Sequence, residues 1–297
     1  MRKITIEVPQ GIGDIFWVYQ KFYPYFDQID FRILASGCGE IQRRSVPFLQ
    51  TWPKVGSVEL HPISESDYCT FVSQRSGIVN MPADGSILRH AVNRPLEEGI
   101  RLEAIDPMFP PAWSIPLQCQ EVALPTRFLC LYVSGSKGPG TWGASEWCRC
   151  LELIDEKYQL KMPIVMIGAG YDAGRIGEVA GCLRGRRFNV IEMINMPAAA
   201  VNFVLRQAAL FVGYQSGLNV IADNFSRPQI MLYFIHLDPM RYSWCQPGHR
   251  ENGLFNAFTF AETPGLVVNS LRSDLISPLV ATEVTASPAM LPEGVPN

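Results

Sequence analysis

Two glycines and a carboxylate stand together near the start of the chain, in the quartet Gly11-Ile12-Gly13-Asp14. The apolar run Ile4–Val8 predicts a strand before the quartet, and the amphipathic run from Ile15 predicts a helix after it. Glycines in such a turn let the backbone approach a ligand closely, and the free N–H groups of a helix start attract anions. The pattern therefore indicates an anion or sugar site with Asp14 beside it. Alternatively, Asp14 only caps the helix and the glycines only turn the chain.

A second segment, Leu210–Ala222, has the same order of elements: a strand-like run, the polar turn Gln215-Ser216-Gly217, and a helix from Leu218. The N–H groups of that helix start would suit a diphosphate, with the Ser216 hydroxyl as a further donor. An ordinary strand-to-helix connection capped by Ser216 fits the local pattern equally well.

Length and composition favour a globular chain of two domains. The chain has 297 residues, of which 47% are hydrophobic and 18% are charged. A formal net charge of −3 gives no general attraction to phosphate backbones. Nucleic-acid binding would need a local patch such as Arg184, Arg186 and Arg187, a pattern that is more often a solvated turn.

Targeting and cysteine patterns point to the cytoplasm. The sequence contains no apolar run of the roughly 18 residues that span a bilayer, so we expect no stable membrane insertion. Its eight cysteines include no C-x-x-C pair, which argues against a metal site and a disulfide framework and predicts mostly buried thiols.

Strand and helix patterns alternate in both halves, which predicts parallel sheets flanked by helices, an α/β fold. The proline-rich stretch Asp106–Trp113 suggests the junction. We therefore predict one domain over residues 1–125, a second over 126–275, and a flexible tail over 276–297. For the second domain the predicted elements are strand Phe128–Val133, helix Ala144–Tyr158, strand Pro163–Ile167, helix Arg175–Leu183, strand Asn189–Glu192, helix Ala198–Gln207, strand Leu210–Gly213, helix Leu218–Asn224 and strand Gln229–Tyr233.

Three loops of small or polar residues follow strands of this predicted doubly wound sheet. They are Ser134-Gly135-Ser136, Gly168-Ala169-Gly170 and Gln215-Ser216-Gly217. Because ligands bind beyond the carboxyl ends of the strands in open sheets, the second domain offers a nucleotide pocket.

The order and spacing of four segments resemble the heptosyltransferase-like enzymes of glycosyltransferase family nine. These segments are Gly11–Asp14, Trp142–Trp147, Gly168–Asp172 and Gln215–Ala222, and the resemblance extends over roughly residues 3–275. It implies a GT-B fold, in which two Rossmann-like domains face each other across a cleft.

The resemblance also implies roles for individual residues. Asp14 matches the catalytic base of an inverting transfer of a hexose or heptose from a nucleotide-diphosphate sugar to an acceptor hydroxyl, with room for the acceptor at Gly11 and Gly13. Asp172 matches an acidic residue that contacts the nucleoside. The transfer would need no metal and no cofactor besides the nucleotide sugar. Donor-binding residues implied in this way are Ser134, Ser136, Lys137, Gly168, Asp172, Gln215, Ser216, Gly217 and Leu218.

Three positions depart from the family pattern. Gln215 stands where the family has Asp, Val220 where it has His, and Gly140 where it commonly has Lys, although Lys137 could reach the same phosphate. A neutral Gln can bond a sugar hydroxyl but cannot act as a base. These departures indicate a donor other than ADP-heptose, or a loss of catalysis.

Alternative functions remain open on the sequence. The run Gly168–Ala173 fits G-x-G-x-x-A, with Glu192 as a ribose-binding acid, and would suit an NAD(P)-dependent oxidoreductase. A non-catalytic GT-B-like binding protein would explain the changed donor residues. For a transferase, the acceptor could be a glycan, a lipid-linked sugar or a modified base in nucleic acid.

Overall fold

The computed structural model describes residues 2–9, 11–13, 15–16, 19, 23, 29–38, 46–53, 57–62, 64–66, 114–134, 141–159, 161–234, 245–246 and 248–271. The predicted proline-rich junction at 106–113 and the predicted tail over 276–297 lie outside these ranges. No helix within them is long and apolar enough to cross a membrane.

The first half forms a parallel sheet of three strands. These are β1 (Arg2–Pro9), β2 (Ile29–Gly37) and β3 (Ser57–Pro62), in the order β1-β2-β3. Helical residues follow β1 from Ile12, and their Phe16 and Tyr19 rings pack against Trp52 with centroid distances of 5.0 and 4.9 Å. The strand predicted at Ile4–Val8 is confirmed in position, and β1 is longer than that apolar run.

The second half forms a parallel sheet of six strands in the order β6-β5-β4-β7-β8-β9. Its strands are β4 (Leu129–Tyr132), β5 (Ile164–Gly168), β6 (Val190–Ile194), β7 (Leu210–Tyr214), β8 (Gln229–Tyr233) and β9 (Phe255–Thr259). Its helices are α1 (Ala144–Tyr158), α2 (Ala173–Gly185), α3 (Ala198–Gln207), α4 (Gly217–Asn224) and α5 (Pro264–Ser270). After β4 the chain builds β5 and β6 on one side and β7 to β9 on the other, which puts the topological switch between β4 and β7.

The core of the second half lies on the central strands. All residues of β4, β7 and β8 are buried, as expected for parallel strands that are covered on both faces. The expected α/β fold with a doubly wound second sheet is confirmed. Two elements that the sequence analysis did not predict, β9 and α5, complete the edge of the sheet.

An extended segment, residues 114–128, joins the second half to the first. Gln118 N–H donates to Thr51 O (2.9 Å), and Gln120 N–H donates to Ala199 O (2.9 Å). The Asn224 side chain bonds the backbone of Ile115 in both directions, with distances of 2.7 and 3.0 Å.

Buried thiols give a first test of this core. Cys130 and Cys150 are fully buried, and burial raises the pKa of Cys150 to about 12. Because only a fraction on the order of 10⁻⁴ of such a thiol is ionised at pH 8, we expect iodoacetamide to leave both cysteines unmodified in the folded protein. Peptide mass spectrometry should find both modified once guanidinium unfolds the chain. Equal modification of Cys150 in both samples would contradict the packing.

Candidate functional site

A cavity of about 450 Å³ lies at the carboxyl ends of β4, β5 and β7, where the switch point predicts a ligand. Residues from both halves of the chain line it. Those from the first half are Gly11, Ile12, Pro47 and Phe48, and those from the second half are Tyr132, Ile167, Gly168, Ala169, Tyr171, Asp172, Asn195, Met196, Ala198, Val201, Ser216, Gly217 and Leu218. The structure thus brings the predicted Gly11, Gly168, Asp172, Ser216, Gly217 and Leu218 together at one cavity.

Gly11 and Ile12 of the quartet Gly11–Asp14 lie at the side of the cavity that is formed by the first half of the chain. The helical turn is closed by Ile15 N–H, which donates to Gly11 O at 3.0 Å. Asp14, the predicted base, lies outside the described residues, although its neighbours on both sides are described.

Gly13 packs directly against the start of α4. A Cβ placed on Gly13 would lie 3.3 Å from Val220 Cγ2 and 3.4 Å from Gly217 Cα. A Cβ on Gly217 would lie 2.7 Å from Ile12 Cβ and 2.9 Å from Gly13 N, closer than side-chain carbons can approach. The Cα of Gly13 thus faces the other half of the chain, and Gly11 and Ile12 border the cavity. Gly13 itself does not line the cavity, and the room for an acceptor at Gly13 stays a prediction.

Most of the N–H groups at the start of α4 are already bonded by a capping box. Leu218 N–H donates to Ser216 Oγ (3.2 Å), and Ser216 N–H donates to Asn219 Oδ1 (3.0 Å). Asn219 N–H lies 3.2 Å from Ser216 O. The helix start can therefore offer a ligand the Gly217 N–H and the Ser216 hydroxyl proton, in the field of the helix dipole.

Two of the positions that depart from the family pattern lie beside this helix start. Gln215 donates its backbone N–H to Leu232 O (3.0 Å), and it is half-buried without lining the cavity. Val220 is buried and contacts Gly13, so its side chain packs the two halves together. The third departure, Gly140, and the predicted donor residues Ser136 and Lys137 lie outside the described residues.

Asp172 connects the loops after β4 and β5. The Ser134 hydroxyl donates to Asp172 Oδ1, and Ala169 N–H donates to Asp172 Oδ2 at 2.9 Å. The residue is 1% exposed, so both carboxylate oxygens are occupied by protein donors at the base of the cavity. The carboxylate fixes the relative position of two loops that the sequence analysis assigned to the donor.

Replacing Asp172 separates this positioning role from direct contact with a ligand. Asp172→Ala should lower stability by about 1–3 kcal/mol and weaken nucleotide-sugar binding, because two donors lose their acceptor. Asp172→Asn should be much milder, since an amide can accept from Ala169 N–H while donating to the Ser134 hydroxyl. Thermal melts and binding titrations check both. An Asn variant that is stable yet loses binding would show that the carboxylate itself contacts the ligand.

A cluster of aromatic rings fixes the position of the chain just before α1. Arg175 donates to Trp142 O, and Trp142 Nε1 donates to Glu262 O at 3.2 Å. The Trp142 ring packs edge-on against Trp147 and Phe260, with centroid distances of 5.3 and 6.1 Å. The predicted Trp142–Trp147 segment therefore supports the site from below without lining it.

Buried polar groups anchor the other end of α4. Asp223 Oδ1 lies 2.7 Å from His249 Nδ1, and Asp223 Oδ2 accepts from Gln246 N–H at 2.7 Å. Burial raises the pKa of Asp223, while the bond from His249 opposes that rise. His249 is thus a structural residue of the core.

Several lining residues were not site candidates in the sequence analysis, among them Tyr171, Asn195 and Met196. Tyr171 is 57% exposed at the cavity rim. Asn195 has a positive φ of 58°, and its side chain lies against Gly170, where a Cβ would be 3.0 Å from Asn195 Nδ2. Met196 follows it. Residues in the loop after β6 could have been found from the switch-point rule, which applies to every strand of the sheet.

Glu192, the candidate ribose-binding acid of a dinucleotide site, is engaged elsewhere. Its Oε1 lies 2.7 Å from Arg184 Nη2, and Glu192 does not line the cavity. In the ranges that the structure describes, no three His, Cys, Asp or Glu side chains are grouped so that they could hold a metal ion.

Comparison with known proteins identifies the fold. No family model and no curated protein sequence matches the chain. Among solved structures, the ADP-heptose LPS heptosyltransferase II of E. coli is similar with a TM-score of 0.56 and 15% identity, over 95% of this chain and 100% of that one. A family 9 glycosyl transferase from Veillonella parvula gives a TM-score of 0.59 and 10% identity, over 93% and 97%. The expected GT-B fold is confirmed.

The same fold also occurs in a protein of another described activity. A putative UDP-N-acetylglucosamine 2-epimerase from Listeria monocytogenes has a TM-score of 0.50 and 12% identity, over 95% of this chain and 89% of that one. At such identities the likeness concerns the fold, so the reaction has to be argued from the cavity.

Proposed function

We propose that this chain is an inverting glycosyltransferase that moves a sugar from a nucleotide-diphosphate donor to an acceptor hydroxyl. The observation that carries the proposal is the cavity shared by the quartet and the loops of the second sheet. Its volume of about 450 Å³ lies in the range of pockets for ligands of this size. The heptosyltransferase named in the comparison, an enzyme of ADP-heptose, has the same fold.

The donor would occupy the second half of the cavity. The Gly217 N–H and the Ser216 hydroxyl would hold the diphosphate, with the α4 dipole favouring its negative charge. Tyr171 offers an exposed ring and Asn195 an amide to the nucleoside. These groups stabilise the charge that develops on the leaving diphosphate, and we propose that no metal is needed for that purpose.

Asp14 would act as the base from the first half. It follows Gly11 and Ile12, which line the cavity. In the proposed step Asp14 accepts the proton of the acceptor hydroxyl while that oxygen forms a bond to the anomeric carbon. The bond from the anomeric carbon to the diphosphate breaks with its electron pair, and the configuration of the sugar is inverted.

A panel of nucleotide-diphosphate sugars with ADP, UDP and GDP carriers tests the proposal. Binding is measured by thermal shift and reaction by slow hydrolysis, each with and without EDTA. We expect one carrier class to stabilise the protein and to be hydrolysed, with EDTA making less than about a twofold difference. Stabilisation by NAD or NADP alone would contradict the transferase proposal and support an NAD(P)-dependent oxidoreductase.

A non-catalytic binding protein is the second candidate, and the Val220 contact favours it. The apolar Val220 side chain fills space against Gly13 at the boundary of the two halves. Tight binding of a nucleotide sugar without hydrolysis, and without transfer to any glycan, lipid-linked sugar or nucleic acid, would support this alternative.

A further inference from the structure

A row of basic residues runs along the amino edge of the six-stranded sheet, opposite the cavity. At least one basic residue stands two to four positions before the first residue of each of five adjacent strands, and before β6, among the described residues, Arg186 is paired with Glu152 whereas Arg187 is not. In the strand order β6-β5-β4-β7-β8 the members of this basic row are Arg187, Lys161, Arg127, Arg206 and Arg227. Because the strands are parallel and lie about 4.8 Å apart, the row spans roughly 20 Å.

Backbone hydrogen bonds tie the segments of the basic row together. Ile164 N–H donates to Asn189 O (2.8 Å) and Leu129 N–H to Pro163 O (2.9 Å). On the other side of β4, Ala209 N–H donates to Phe128 O (3.0 Å), and Phe211 N–H to Pro228 O (2.9 Å). The five side chains are therefore carried by one continuous, rigid edge.

None of the five cations is paired with a carboxylate in the part of the chain that the structure describes. Other arginines of the same half are paired: Arg149, Arg184 and Arg186 each lie within 3.5 Å of a glutamate. Burial, with a further contribution from the charge of Arg206, lowers the pKa of Arg227. Arg206 and Arg227 are thus like charges near each other. Beside Lys161, by contrast, Asp155 Oδ1 accepts the backbone N–H of that residue at 2.7 Å, so a carboxylate lies next to this member of the row.

Helix dipoles account for four members of the row but not for Arg127. Helices α1 to α4 end at this edge, and their carboxyl ends favour nearby cations. Arg127 instead follows the extended segment 114–128. Its Nε and Nη2 are buried without a hydrogen-bond acceptor, which is a costly arrangement unless a further group supplies one. No described residue supplies this acceptor, and a phosphate oxygen or a water molecule would satisfy it.

Three half-buried phenylalanine residues lie next to members of the row in space or in sequence. The Arg206 guanidinium lies 5.4 Å from the Phe203 ring centre, and Arg227 Nε donates to Phe225 O at 3.0 Å. Phe188 follows Arg187 directly. Phe188 and Phe225 pack against the core, so the row offers a nucleic acid its guanidinium and ammonium groups, and guanidinium groups match phosphate geometry. A line of charges fits a chain-like polyanion better than the plane of a membrane.

We propose that the basic row binds single-stranded nucleic acid through its phosphates. The strand would lie at the amino edge, so it would tether the protein without entering the cavity at the carboxyl edge. This binding goes beyond the proposed transfer reaction and does not depend on it. Of the patch considered from sequence alone, only Arg187 belongs to the row.

The test is the salt dependence of binding to a fluorescent 20-nucleotide oligothymidine, measured by anisotropy. With five phosphates neutralised, we expect a slope of log K against log salt of about −3.5, so affinity falls on the order of 100-fold between 50 and 200 mM NaCl. In the triple variant Lys161→Gln, Arg187→Gln, Arg206→Gln, the slope should fall to about −1.4, a loss of about sevenfold over the same range. All three side chains belong to exposed residues, so the variant should fold.

A matched variant, Arg149→Gln, Arg184→Gln, Arg186→Gln, removes the same charge from paired arginines. It should keep the slope of the unmodified protein, and neither variant should change nucleotide-sugar binding. The proposal is overturned if the unmodified protein fails to bind the oligonucleotide at 50 mM NaCl. It is equally overturned if the matched variant loses as much of the slope, or if polyglutamate or phosphatidylserine vesicles bind more tightly than the oligonucleotide.

Discussion

Asp14→Asn is expected to lower the rate of sugar transfer by about 10³-fold while leaving donor affinity within about threefold of its original value. The amide keeps the size and hydrogen-bonding capacity of the side chain, but it cannot accept the proton of the attacking hydroxyl. A positioned base is worth roughly 10²–10⁴ in rate, so the loss should fall in that interval. Transfer or hydrolysis assays under saturating donor measure the rate, and a titration measures the affinity.

Glu156→Gln serves as the matched control for Asp14→Asn. It also replaces a carboxylate by an amide, at an exposed ion pair with Arg149 on α1. Its activity should stay within about twofold, since surface ion pairs contribute little. If Asp14→Asn retains full activity, Asp14 is not the base, and the role of the quartet is then limited to its glycines.

Gly217→Ala is expected to lower stability by about 1–3 kcal/mol and to weaken binding of the nucleotide sugar, because overpacking a tight contact costs that much. The new methyl group would lie 2.7 Å from Ile12 Cβ and 2.9 Å from a backbone nitrogen, so either the two halves must separate or the helix start must shift. Thermal melts report the stability, and small-angle scattering would report separation as a larger radius of gyration.

Alanine substitutions at two other glycines should have smaller effects than Gly217→Ala, in the order of the space around each glycine. Gly13→Ala should have a smaller effect, since its nearest neighbours would be 3.3 and 3.4 Å away. Gly174→Ala on α2 meets nothing within 4 Å and should stabilise the protein by up to about 1 kcal/mol. A Gly217→Ala variant that melts and binds like Gly174→Ala would show that the close approach of the two halves does not occur in solution.

Elements with a strong apolar pattern could be predicted to the residue. Helices Ala144–Tyr158 and Ala198–Gln207 and strand Gln229–Tyr233 have the bounds that the sequence predicts. Their buried positions follow a helical or a continuous apolar pattern, and this pattern can be read from the sequence of each segment alone. Strand Phe255–Thr259 lies at the sheet edge with only part of its residues buried, and helix Pro264–Ser270 has seven residues. Their patterns are too short to stand out from loops.

The candidate site could be predicted loop by loop but not side chain by side chain. Gly168, Ser216 and Gly217 follow from the rule that ligands bind beyond strand ends. The inward position of Asn195 depends on a positive φ and on the bond from its N–H to Gly168 O (2.9 Å), which only the folded chain provides. The contact of Gly13 with Gly217 joins residues far apart in sequence, and no local pattern encodes it.

The link between the two halves has a consequence for how the protein unfolds. Asn202 Nδ2 donates to Thr51 Oγ1 (3.0 Å) and to Gln118 O (3.0 Å), so one side chain of α3 joins the first half and the extended segment. If either half unfolded alone, buried polar groups of the other half would be left without hydrogen-bond partners. We therefore expect calorimetry to show one cooperative melting transition, whose calorimetric and van't Hoff enthalpies agree, in place of two separate domain melts.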